Sequence, residues 1–294
     1  MVGSPVRSTR RADRLRRNPF VVIVVGFLVL FGGVEGSAAA LINSLGGGPW
    51  VVLVTAVVVA PLAIVVYWGL ITRFLEGRPS APEIALDARM PRLLLAGFAL
   101  AIVVMLLAYG VIALLGGVTI GGGDPWPTAI AASLGLAVIA GVVEELFLRG
   151  VLFRVTEQYL GTWLALVVSA LFFGFLHLAN PDASLWAGIA IALEAGVSLA
   201  AIYVLTRSLW AAIGMHIGWN LSESLLGVPV SGNEPTGVIT TTFEGPNWLT
   251  GGAFGMEASV VVVGLWLIVA FVLLAMARSR GLLVEPRWRR KVTA

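Results

Sequence analysis

The chain has no cysteine, one lysine, only two histidines and few charged residues of any kind, 12% of 294. Without thiols there are no disulfides, no cysteine-ligated zinc or iron–sulfur sites and no thiol nucleophile. A soluble domain usually carries about 25% charged residues, and half that supply does not solvate a globular surface of this size. What the chain has instead is apolar: 59% of its residues are hydrophobic and 35 are glycine. Mean hydropathy is +0.96. The composition is that of an integral membrane protein.

A bilayer-spanning helix needs roughly 18 or more mostly apolar residues. About eight stretches approach or exceed that length: 19–42, 49–72, 93–115, 126–153, 162–180, 184–206, 209–226 and 258–277. The expected fold is all-α, a polytopic membrane helical bundle of about eight transmembrane helices. Lysine and arginine resist translocation and collect on the cytoplasmic side. With the amino terminus inside, the inner segments hold Arg7, Arg10, Arg11, Arg14, Arg16 and Arg17, then Arg73, Arg78, Arg89 and Arg92. They also hold Arg149 and Arg154, Arg207, and finally Arg278, Arg280, Arg287, Arg289, Arg290 and Lys291, which completes all 19 basic residues. An odd number of spans would strand a basic cluster outside, so both termini are expected to be cytoplasmic.

The net charge of +3 follows from that topology together with anionic lipid, and no nucleic-acid partner is expected. Arg10-Arg11 precedes an apolar run and Ser37-Ala38-Ala39-Ala40 has small residues, but the run is too long for a signal peptide and contains Glu35, so cleavage is not expected. Residues 1–18 form a basic tail, 19–277 one membrane domain and 278–294 a second basic tail. The loop 73–92, with three prolines, reads as an inner linker. Residues 227–256 carry seven glycines, three prolines and Phe243, Trp248 and Phe254, and are expected to fold as a lid on the outer face.

Polar residues inside hydrocarbon are costly and need a partner or a function. Both histidines, His177 and His216, fall within expected spans. The fourth span carries Glu144, Glu145 and Arg149. Neighbouring helix residues diverge by about 100°, so the two glutamates face different ways. Arg149 follows Glu145 by four residues, the favourable order for an ion pair on one face. Glu145 is then a supporting residue, and Glu144, without a cation on its own helix, is the candidate general base. The alternative is an interfacial ion cluster. Phe173 and His177 lie one turn apart on the fifth span. If spans four and five form a hairpin turning at Gly161, Glu144 lies 17 residues before the turn and His177 lies 16 after it. At about 1.5 Å per residue the two reach nearly the same depth. His216 and Asn220 share one stripe of the seventh span and offer two donors for a developing oxyanion. Each of these polar groups alone also fits an ordinary interhelical hydrogen bond.

The ordered set Glu144-Glu145-x-x-x-Arg149, Phe173-x-x-x-His177 and His216-x-x-x-Asn220 resembles the three-motif pattern of the CAAX prenyl endopeptidase and bacteriocin-processing family, the intramembrane glutamic proteases also called the Abi family. The motif region is 126–226, about a third of the chain. The resemblance implies a protease in which Glu144 activates water, His177 holds that water or shuttles its proton, and His216 with Asn220 stabilises the tetrahedral oxyanion. It implies Glu145, Arg149 and Phe173 as supporting residues, no cofactor, and a membrane-bound or lipidated protein or peptide as substrate.

Two other readings stay open. One glutamate and two histidines match the ligand number of a zinc metalloprotease, although the H-E-x-x-H helix is absent. Glu35, Glu194 and Glu223, further acids in or near spans, are compatible with a proton or ion pathway, and each also has a milder reading: a glycine-rich bend, an interhelical bond and the outer water layer respectively. A scaffold or immunity protein without activity is the remaining alternative. The expected location is a bacterial cell membrane, bacterial because of the richness in alanine, valine and glycine. Oligomeric state is not encoded.

Overall fold

The computed structural model describes residues 17–290. The tail residues Arg7, Arg10, Arg11, Arg14, Arg16 and Lys291 fall outside them. The chain is an all-α polytopic bundle whose helices are α1 (Pro19–Ser44), α2 (Pro49–Leu75), α3 (Met90–Gly116), α4 (Trp126–Phe147), α5 (Arg154–Leu176), α6 (Leu185–Thr206), α7 (Leu209–Leu225) and α8 (Val260–Ser279). Six helical runs are long and apolar enough to cross a membrane. One of these, Trp126–Ala179, is 54 residues long and contains Gly161 at φ 78°, ψ 169°, where the rod breaks in two. A side chain at Gly161 would sit 2.7 Å from the backbone nitrogen of Pro286, so the turn needs glycine for both its positive φ and its close neighbour. Helix α7 has 17 residues.

Local chemistry sets the helix ends. Proline occupies the first turn of α1, α2, α3 and α4, where its missing N–H would be unpaired anyway. Asn18, Ser184 and Ser259 accept from the first-turn amides of α1, α6 and α8. Four stretches widen into π-type turns: Leu28–Glu35, Tyr67–Leu75, Leu148–Phe153 and Ala192–Gly196. Three of them carry an ionisable residue expected within hydrocarbon, Glu35, Arg149 and Glu194.

Glycine sets the spacing between helices. A Cβ on Gly214 of α7 would meet the Leu94 carbonyl oxygen at 2.0 Å, and one on Gly97 of α3 would meet the Ala211 carbonyl at the same distance. On α4, a Cβ on Gly141 would lie 2.7 Å from Ile217. Helix α7 therefore seats backbone to backbone on α3. Residues two apart on a helix diverge by about 200°, so Gly214 and Gly218 face α3 while His216 and Asn220 face the opposite way. Of the six long apolar runs, the one forming α6 is the most enclosed, with 78% of its apolar window buried. On α1, Phe27 and Phe31 meet Phe147 of α4 edge-on at 5.5 and 5.4 Å, which draws the first helix to the motif helices.

The bundle has two chemically distinct ends. At one, Arg154 binds Glu76, Arg78 binds Glu83, Arg207 binds Glu157, and Thr162 pairs with Val284. Glu83 lies between α2 and α3. Burial alone would raise its pKa, but Arg78, Arg154 and Tyr67 outweigh that and hold the carboxyl below its ordinary value. At the other end, the segment between α7 and α8 carries regular structure of its own. Strand β2 (Ile239–Phe243) pairs antiparallel with β1 (Val118–Gly122), with Val118 opposite Phe243, and a tight turn pairs Val230 with Asn233. Phe254 is buried beneath this cover, whereas Trp248 is 59% exposed.

Candidate active site

The motif residues meet around a cavity of about 460 Å³, lined by Glu144, Phe173, His177, His216 and Asn220 together with Glu35 of α1. Spans four and five do turn at Gly161, and Glu144 and His177 face the same space.

The two adjacent glutamates divide as their divergent directions require. Glu145 is fully buried and accepts from Arg149 Nη1 at 2.6 Å. Arg149 also donates through Nη2 to the carbonyls of Ala195 and Gly196, each at 3.1 Å, and so braces α4 against α6. Its guanidinium carbon lies 5.1 Å from the centre of the Phe173 ring, the supporting contact that the phenylalanine supplies. Glu144 points into the cavity instead. Its Oε2 is buried, has no hydrogen-bond partner among the described residues, and lies 4.0 Å from His216 Nε2.

Hydrogen bonds define both imidazoles. His177 Nδ1 lies 2.8 Å from the carbonyl oxygen of Phe173, and since a carbonyl only accepts, the proton sits on Nδ1 and Nε2 presents a lone pair. His216 Nδ1 lies 3.0 Å from Glu145 Oε1, a carboxylate already paired with Arg149, so Nδ1 donates there and Nε2 is the atom that faces Glu144. Phe173 stands between the histidines, its ring 4.6 Å from that of His177 and 6.0 Å from that of His216. Asn220, one turn beyond His216, lines the same wall.

The bond from Glu145 to His216 is not visible in the motif spacing, because it depends on how α7 is rotated against α4. Glu35 likewise reads from sequence as part of a glycine-rich bend, yet it ends a π-type turn inside a continuous helix and lines the cavity with Glu144. Glu223 does not face the outer water layer. It is fully buried, because the cover between α7 and α8 closes over the last turn of α7. Glu194 makes no interhelical bond: it is fully buried and neither carboxyl oxygen has a hydrogen-bond partner among the described residues.

Three residues near the cavity mouth carry no sequence signal. Glu257, just before α8, accepts from the Ser231 N–H at 2.5 Å, from Ser231 Oγ at 2.8 Å and from Trp219 Nε1 at 3.0 Å. Asn180 donates to the Ser231 carbonyl at 2.9 Å. Ser231 itself is held at φ 49°, a conformation unusual for a residue with a side chain. Glu257 lies outside the spanning segments, and burial pushes its carboxyl up to about 7 although the bonds from Ser231 and Trp219 favour the charged form. Among the described residues, no group of three or more His, Cys, Asp or Glu is arranged to hold a metal ion.

A polytopic helical bundle with a carboxylate, two imidazoles and a carboxamide around one buried cavity has the makings of a membrane-embedded hydrolase. Residues 125–222 match the family model described as Type II CAAX prenyl endopeptidase Rce1-like. The matched stretch contains all three motifs and bears out the resemblance they carry to the CAAX prenyl endopeptidase family. The match implies a protease acting on a membrane-associated peptide in a lipid setting. No curated protein and no solved structure matches the chain.

Proposed function

We propose that the protein is a glutamate-dependent intramembrane endopeptidase that hydrolyses a peptide bond in a membrane-associated or lipidated protein or peptide. The observation that carries this reading is the division of labour between the paired glutamates: Glu145 is consumed by Arg149 and His216, and Glu144 is left facing the cavity beside His216.

Glu144 removes a proton from water as that water attacks the scissile carbonyl carbon. His177, with its proton fixed on Nδ1, accepts a hydrogen bond from the water through Nε2 and orients its lone pair. The tetrahedral oxyanion accepts from the Asn220 amide and from His216 Nε2. Because His216 Nδ1 already donates to Glu145, His216 serves as a donor through Nε2 only as the imidazolium, whose charge the neighbouring carboxylate balances. Glu144 then passes its proton to the leaving amine. A peptide bond in an intact helix is hydrogen-bonded and covered, so the substrate enters as unwound backbone. No metal takes part in this scheme.

The test compares membrane proteomes of cells carrying wild type and Glu144→Gln for shortened or released chains. Products present only with wild type support the reading. Identical proteomes from equally expressed proteins overturn it. Metal analysis of the purified protein checks the metal-free scheme: stoichiometric zinc whose removal abolishes turnover would replace it.

A further inference from the structure

The orientation of the cavity narrows the substrate, granted the hydrolytic reading above. Apart from Arg149, which is buried between α4 and α6 and paired with Glu145, the described basic residues lie toward one end of the bundle. The ion pairs of Arg154, Arg78 and Arg207 lie there, and Arg290 reaches the Glu157 and Gln158 carbonyls. The segments at the other end, 118–126, 180–186 and 227–259, contain no lysine or arginine. Their mutual bonds place them together: Asn180 to Ser231, Trp186 to the Ala258 carbonyl, and Asp124 to the Gly237 carbonyl.

The cavity belongs to this second end. Beyond Glu144 and the histidines its wall continues through Asn43 at the end of α1, Asn180 after α5, Ser224 on the last turn of α7, and Asn233 and Glu234 of the tight turn. Asn43, Asn233 and Glu234 are exposed. No lining residue comes from the basic end. Since basic residues stay on the cytoplasmic side, the mouth faces away from the cytoplasm. The charge of the wall adds a second constraint. Glu35, Glu144, Glu234 and Glu257 line it, and no lysine or arginine does. A substrate's free terminal carboxylate would meet no lysine or arginine there and only the His216 imidazolium committed to the oxyanion, whereas a neutral or cationic segment meets carboxyl and amide groups.

We propose that the cavity takes its substrate from the extracytoplasmic side, and that the substrate is an internal, neutral or cationic segment of a membrane-anchored or exported chain rather than a cytoplasmic carboxyl-terminal tail.

The absence of native cysteine makes the orientation directly measurable. Single-cysteine variants Asn233→Cys and Arg289→Cys are treated with a membrane-impermeant maleimide in intact cells. Labelling of Asn233→Cys in intact cells, and of Arg289→Cys only after permeabilisation, is the expected result. The reverse pattern overturns the proposal. In parallel, right-side-out and inverted vesicles receive matched peptides bearing Lys or Glu beside the scissile bond. Cleavage by right-side-out vesicles only, several-fold faster for the Lys peptide and converging at high salt, is expected. Cleavage by inverted vesicles only, or preference for the Glu peptide, contradicts it. If neither vesicle cleaves even after permeabilisation, the hydrolytic reading fails while the labelling still decides the orientation.

Discussion

The Nδ1 of His216 lies 3.0 Å from Oε1 of Glu145, the same oxygen that receives Arg149 Nη1 at 2.6 Å. One carboxylate oxygen thus orients the imidazole that faces Glu144 and also the guanidinium that ties α4 to α6. The Glu145–Arg149 ion pair and His216 form one unit, and changes to either should be felt by both.

Glu145→Ala leaves Arg149 buried without its counter-charge and frees His216 to rotate. Breaking a buried pair in this way costs about 3–5 kcal/mol. Thermal unfolding in detergent should show a large loss for the single variant and proteolysis should fall with it. The double variant Glu145→Ala with Arg149→Met should be less destabilised than the two single changes added together. Strict additivity would show that the pair is not coupled.

Asn220→Ala removes the carboxamide proposed as an oxyanion donor, from a helix position that leaves the packing of α7 on α3 untouched. Removal of such a donor typically lowers turnover by about 10²–10³. The drop should appear in kcat with little change in KM or melting temperature. A change confined to KM would assign Asn220 to ground-state binding instead.

Gly214→Ala puts a methyl group where only 2.0 Å separates it from the Leu94 carbonyl oxygen. Overpacking of this kind costs about 1–3 kcal/mol, and displacement of α7 off α3 shifts His216 against Glu144 and disturbs their spacing. Stability and activity should fall together. Gly264→Ala on α8 is the control, because its new methyl meets nothing within 4 Å, and it should be neutral or slightly stabilising.

Glu257 predicts a pH dependence of the mouth. Its carboxyl is raised from 4.5 to about 7 in the fold. A raised folded value means that the native state holds the proton more tightly than the unfolded chain. The stabilisation is therefore complete below about 4.5 and is lost as pH rises through about 7. Melting temperature from pH 5 to pH 8 should fall more steeply for wild type than for Glu257→Gln. Parallel slopes would show that this carboxyl does not titrate in that window.

The helices were legible because each is an apolar run, six of them opened by proline or a capping side chain, and the hairpin was legible because Gly161 interrupts an otherwise helical stretch. The motif residues could be matched in depth because Glu144 and His177 lie nearly the same number of residues before and after that turn. Rotation about the helix axes was not legible. It follows from glycines seated on facing carbonyls, Gly97 and Gly214 above all, and it decides that Glu145 reaches His216. The β1–β2 pair was missed because its strands are short, rich in glycine and threonine, and separated by more than a hundred residues. Glu35 was misread because a π-type turn adds a residue without leaving a break in the apolar pattern.

The most direct measurement is the turnover of purified Glu144→Gln on a membrane-associated peptide that wild type cleaves, with folding checked by thermal unfolding. The side chain keeps its size and loses only its basicity, and Glu145, Arg149 and His216 keep their bonds to one another. Turnover should disappear while the melting temperature stays close to that of wild type. Full activity in a folded Glu144→Gln protein would contradict the assignment of this carboxylate as the base.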